Sequence, residues 1–227
     1  MRQRFLIILT AIILLPLRVV AADTLTVKEK LLSEYSRTAV FRNQVWQNAA
    51  IRFDQRPFSL TSVSVKGLYE QRGDAALAQE GNRRKDFSAE VNSFVVLNPR
   101  NRLFGQASYR NGRREDVVWN ENSDYSLLYP YVVGDSIGGF MKEEEYKFSG
   151  GYAYRFGEWT AGAELGYRAV IAYRDKDPRP RNIISDLQAT LALSRNLSGK
   201  YNLGLAMQAR KYNQKSEITF LADKGST

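Results

Sequence analysis

From Trp159 to Tyr173 every odd position is apolar or aromatic, while the even positions include Thr160, Gly162, Glu164, Gly166 and Arg168, and Arg174 follows. A period of two is the mark of a strand with one apolar face. The same alternation recurs in six other stretches. Its apolar positions are Val63, Val65 and Tyr69; Phe87, Ala89, Val91, Val95 and Leu97; Leu103, Gly105, Ala107 and Tyr109; Tyr146, Phe148, Tyr152, Tyr154 and Phe156; Ile183, Leu187, Ala189, Leu191 and Leu193; and Tyr201, Leu203, Leu205, Met207 and Ala209. Seven strands are therefore expected, with "SEITFL" as a candidate eighth. Leu68 breaks the alternation of the first.

The connections alternate in length. Gly73 to Asp86 is long, "NPRN" short, Asn111 to Glu143 very long, Gly157-Glu158 minimal, "DKDPRPR" intermediate and "NLSGK" short. Outer-membrane barrels keep short turns on the periplasmic side and longer loops outside. If the chain enters from the periplasm at Ser59, every short turn falls on that side. Phe156, Trp159 and Tyr201 lie beside the short turns, and Tyr109, Tyr146 and Tyr173 lie toward the loops, as two interfacial girdles require. The expected fold is all-β: an antiparallel up-and-down transmembrane β-barrel, incomplete at about 7 to 8 strands because single-chain barrels close on an even number. The polar tail "FLADKGST" fits the same expectation of a fragment. The fifth strand is long enough for its upper end to stand above the membrane. The alternative is a soluble secreted β-sandwich or lipocalin-like barrel, but sandwich strands average about five or six residues, about half the length seen here.

Residues 1–22 have a basic start, an apolar run from Phe5 to Leu17, and Ala21 and Ala22 before Asp23, which is the layout of a signal peptide. Residues 23–58 form an expected periplasmic pre-barrel segment. In it Thr26 and Glu29 have capping-box spacing, and Val27, Leu31, Leu32 and Tyr35 share one face of a short helix. Whether the rest of this segment plugs the lumen or leads the chain in stays open. Residues 59–227 make up the barrel.

Composition narrows the chemistry. The chain of 227 residues has no cysteine and no histidine, which removes disulfides, thiolate metal sites and every nucleophile–histidine pair. No enzymatic activity, cofactor or metal site is expected. The net charge of +9 becomes +6 once Arg2, Arg4 and Arg18 leave with the leader (9 − 3 = 6). The remaining cations are interleaved with acids, as in "RREDVVW", so no nucleic-acid partner is expected. "KEEEYK" is expected to be a solvated strand tip.

The leader, the "FGEW" hairpin and the tyrosine-rich strands together resemble Gram-negative outer-membrane β-barrel proteins. More closely, the chain resembles the uncharacterised, domain-of-unknown-function barrels that sit among nutrient-uptake and surface-assembly systems. That resemblance implies residence in the outer membrane of a Gram-negative bacterium, contact with outer-membrane lipid and folding through the barrel-assembly machinery. It carries over no functional residue. The expected function is a channel or transport-type, porin-like barrel whose lumen is lined by Glu90, Gln106, Glu164, Arg168, Gln188 and Arg210. The alternative is a surface-binding or assembly protein with a filled barrel. Its Tyr125, Tyr129 and Tyr131 would present flat faces to an extracellular glycan, peptide or small solute.

Overall fold

The computed structural model describes residues 26–34, 36–45, 48–73, 77–131, 133–134, 136–176, 179–198 and 201–220. The expected signal peptide lies outside them. Seven strands, β1 (Leu60–Gln71), β2 (Arg83–Asn98), β3 (Asn101–Val117), β4 (Gly139–Phe156), β5 (Trp159–Tyr173), β6 (Arg179–Asn196) and β7 (Asn202–Thr219), form one antiparallel sheet in chain order. One sheet excludes the two-sheet sandwich. The sheet is not closed into a barrel, and β1 and β7 are its edges. With seven alternating strands the two edges point the same way, so an antiparallel ladder cannot join them directly. "SEITFL" does not form an eighth strand, because Ser216–Thr219 continue the β6–β7 ladder.

The strands outrun the apolar alternation that announces them. β3 continues through Arg113 and Arg114, β2 starts at Arg83, β6 takes in Arg179–Arg181, and β7 runs on through Lys215. Backbone pairing continues at these tips while the outward side chains change from apolar to charged, so a hydrophobic period detects only part of these strands, whereas β5 is found over its full length. β5 has 15 residues and β4, β6 and β7 have 18 each, so β5 is not alone in exceeding the length of a bilayer span. The β5–β6 connection shrinks to residues 174–178, no longer than the 197–201 turn, so the long-and-short asymmetry rests on loops 72–82 and 118–138.

The turns have local causes. Gly157 takes φ +60° at the first central position of the two-residue β4–β5 turn, a conformation that favours glycine. Asn98 accepts the Arg100 N–H at 2.9 Å across the β2–β3 turn. At the N-terminal side, α1 (Val27–Glu34) carries the expected capping box: Glu29 N–H donates to Thr26 Oγ1 at 3.3 Å, and Thr26 N–H donates to Glu29 Oε2 at 2.8 Å. The backbone N–H of Thr26 holds the Glu29 carboxyl below its usual range. A second helix, α2 (Arg37–Val45), has no apolar period to announce it, but Ser36 accepts the Ala39 N–H at 3.1 Å as its cap.

Register separates two faces. On the open face, one row across all seven strands reads Val63, Val91, Ala107, Phe148, Tyr167, Leu187 and Lys211. The next row on the other face reads Ser64, Glu90, Ser108, Lys147, Arg168, Asp186 and Tyr212. This second face is covered by the protein itself. Residues 48–58 lie across its short-turn end, where Asn48 accepts the Ala50 N–H at 2.8 Å just ahead of a 3₁₀ turn, Ile51–Asp54. Ala49, Ala50 and Phe53 are buried there with Phe94, Phe104, Ala153 and Ala192. The Arg56 guanidinium lies 5.8 Å from the Phe94 ring on β2, while Ile51 packs on Gly204 of β7. In a flat sheet β2 and β7 stand about 24 Å apart, five strand spacings, whereas Ile51 and Arg56, with the 3₁₀ turn between them, have Cα atoms only about 13 Å apart. The sheet therefore curls around this plug-like segment, residues 48–58.

Candidate functional site

The covered face holds the chemistry, in three tiers. At the short-turn end, Arg52 of the plug reaches Glu164 on β5 at 3.2 Å. The Phe53 ring sits between the guanidiniums of Arg155 at 4.0 Å and Arg102 at 4.3 Å. Arg155 also meets Asp54 at 2.5 Å. Gly162 permits the close approach: a Cβ there would stand 2.5 Å from the backbone of Ala49 and Ala50.

At the loop end the polar face is an ion-pair network roofed by loop 118–138. Arg168 pairs with Asp124, with Glu145 at 3.3 Å and with Asp186 at 3.5 Å. Asp186 takes both arms of Arg210 at 2.8 Å, and the Tyr212 hydroxyl donates to Asp124 at 3.0 Å. Arg110 pairs with Glu143 and meets Glu145 at 3.4 Å. Asp124 precedes α3 (Tyr125–Leu128), so the loop delivers its carboxylate into the sheet's arginines. Deeper in the roof, the buried Arg174 and Glu121 pair at 2.6 Å, and Asn182 Nδ2–H donates to the Glu121 carbonyl at 2.5 Å. Such desolvated pairs stand only where geometry and hydrogen bonds compensate the loss of water. Val117, Met141 and Ala172 make a small apolar cluster at this end. The two long loops are tied together by Val118 N–H donating to the Ala78 carbonyl at 3.0 Å.

Between plug and roof lies a polar waist with two hollows of 360 and 340 Å³ that share Gln106 and Ser149. Small side chains hold it open, because Gly166 and Ser149 face each other in the β4–β5 register.

All six expected lining residues lie on this face. Gln106, Arg168, Gln188 and Arg210 line the first hollow; Glu164 is engaged by the plug, and Glu90 accepts from Asn92. "KEEEYK" departs from its expected solvated state. Glu143 and Glu145 turn inward to Arg110 and only 7% of Glu145 is exposed, while Glu144 alone faces out, because strand alternation sends neighbours to opposite sides. Tyr129 and Tyr131 are 68% and 88% exposed, and Tyr125 tucks its ring 6.2 Å from that of Tyr129. Asp124, Glu121, Tyr212 and Arg110 were not singled out by sequence. The two-residue turn after Phe156 fixes the β4–β5 register and sets Arg168 beside Lys147, but nothing periodic announces that a loop carboxylate drops onto them. Among the described residues, no group of three histidine, cysteine or acidic side chains is placed to hold a metal ion.

A family described as a family of unknown function (DUF6850) matches residues 49–227. The chain belongs to DUF6850. No curated protein and no solved structure matches it. The DUF6850 match begins at Ala49, so the buried plug residues and the strands fall within one family unit, while α1 and α2 precede it.

Proposed function

We propose that the chain is a non-enzymatic outer-membrane β-barrel protein of a Gram-negative bacterium, with an interior filled by its own chain and a loop-end surface that carries out binding or assembly. One observation carries this: the faces are inverted relative to a water-soluble sheet. The side covered by protein is ionic, and the uncovered side bears Val63, Val65, Leu165, Leu191 and Met207, each at least 60% exposed. Seven strands make a wall about 30 Å wide, and an apolar band about 25 Å tall gives on the order of 800 Å². Exposed apolar patches on water-soluble monomers rarely exceed a few hundred Å². Lipid is the solvent that tolerates such a face, provided the backbone is paired within the sheet. The plug and roof support a filled interior, and the exposed Tyr129 and Tyr131 supply contact surface for an extracellular glycan or peptide.

A channel or transport-type barrel is the second reading, favoured by the two polar hollows between plug and roof. Reconstitution of the detergent-extracted chain in a planar bilayer separates the two. A filled interior gives a silent bilayer, whereas defined conductance steps transfer the assignment to a channel. A chain that stays monodisperse in buffer without any amphiphile overturns both.

A further inference from the structure

We propose that the open face carries a binding site for a phosphorylated lipid at its loop-end rim. The proposal rests on the membrane reading above and goes beyond it by naming a lipid class and its residues. One outward row at this rim runs through Tyr69, Lys85, Arg113, Lys142, Tyr173 and Arg181 before ending at Glu217. Four cations on one rung face outward; the outward rung below carries Phe87, Asn111 and Glu144, and the Tyr109–Tyr146 pair, whose rings are 5.0 Å apart, lies one rung further down. At the opposite rim the corresponding row, Phe156, Trp159, Arg195 and Leu203, has a single cation, and Glu158 neutralises it at 3.1 Å. Within the loop-end row Lys142 is likewise paired, with Asp175 at 2.5 Å, which leaves Lys85 and Arg181 as its cations without an ion pair among the described residues.

The rim also has a receptacle. A shallow, open depression lies between β1 and β3, lined by Gly67, Leu68, Tyr69, Lys85, Asp86, Phe87, Asn111 and Arg113. Gly67 makes the notch, since a Cβ there would meet nothing within 4 Å. Aromatic rings steady the cations: Lys85 lies 5.6 Å from the Tyr69 ring and Arg113 4.2 Å from that of Phe140. Arg113 also meets Glu115 at 3.0 Å, while Lys85 has no carboxylate partner among the described residues. Directly below, Phe87, Val65 and Ala89 continue the apolar face. The order from top to bottom is cation, amide, aromatic ring and aliphatic wall, which matches phosphate, glycan or glycerol, and acyl chain. A free phosphate would use only the top of it.

The test uses the full chain in neutral-detergent micelles, with native mass spectrometry counting bound diphosphorylated lipid A against its dephosphorylated form. Wild type should retain the phosphorylated lipid selectively, and Lys85→Gln/Arg113→Gln should weaken retention roughly thirtyfold, as expected for two cations at a lipid surface. Arg195→Gln, at the other rim, should retain it like wild type. Lys85→Gln alone keeps the test open if the double variant misfolds. Equal retention of both lipids, an unchanged double variant, or displacement by excess inorganic phosphate overturns the site. Protease protection in phosphatidylcholine vesicles is read separately. A chain that inserts but ignores the phosphates sinks only the lipid site, while one that never inserts sinks the membrane reading and the site with it.

Discussion

Two glycines on one strand separate what a residue's own neighbourhood can do. Gly162 and Gly166 lie on the same face of β5, yet a Cβ on the first would stand 2.5 Å from plug backbone and on the second no closer than 3.9 Å to anything. Backbone cannot rotate away as a flexible side chain can, so Gly162→Ala should cost about 1–3 kcal/mol through overpacking. Gly166→Ala should stay within about 0.5 kcal/mol of wild type. Thermal unfolding measures both, and new cleavage within residues 48–58 of Gly162→Ala would show that the plug has let go. Equal behaviour of the two variants would remove the close approach as the reason for Gly162. The sequence marks both glycines alike, because the difference between them arises from a segment far away along the chain. Faces are legible residue by residue: alternation puts Glu90, Gln106, Glu164, Arg168, Gln188 and Arg210 together on one side, where they stand. Partners are not, since Asp124 and Glu121 reach that side from a loop without period.

At the scale of elements, hydrophobic alternation finds each strand, and it misses the ends of all but β1 and β5. The charged tips of β2, β3, β6 and β7 pair through backbone alone and leave no apolar trace in the sequence. Helix α2 was lost for the related reason that Ser36 marks a start while no apolar face follows. Loop 118–138 is held to the sheet through Asp124 and Glu121, and the Arg174–Glu121 pair is deeply buried, at 1% and 2% side-chain exposure. Arg174→Ala removes the buried ion-pair partner of the Glu121 carboxylate, a loss of about 3–5 kcal/mol for a buried pair broken on one side. Because the cost falls on the roof and not on the strand ladders, the expected outcome is local release. Limited proteolysis should cut between residues 118 and 138 while the β-sheet circular dichroism persists. Loss of both together would mean that the roof and the sheet fold as one cooperative unit.

For the whole molecule, the decisive quantity is depth. The ten residue steps of β5 from Trp159 to Ala169, tilted by about 40°, rise about 25 Å, the height of an outer-membrane apolar band. Leu165 then stands near the middle, and Tyr173 stands on the cationic row at the rim. A soluble sheet would charge nearly the same for an arginine at either place, because water reaches both. A bilayer would not. Leu165→Arg should weaken folding into vesicles by about 2–4 kcal/mol, whereas Tyr173→Arg should cost about 0–1 kcal/mol. Urea titration of vesicle-inserted chain gives both numbers. Leu191, 60% exposed and on the same face of the neighbouring strand, should repeat the Leu165 result. A flat profile across the three positions would mean that depth has no effect, and an apolar face of this size would then require a protein partner in place of lipid.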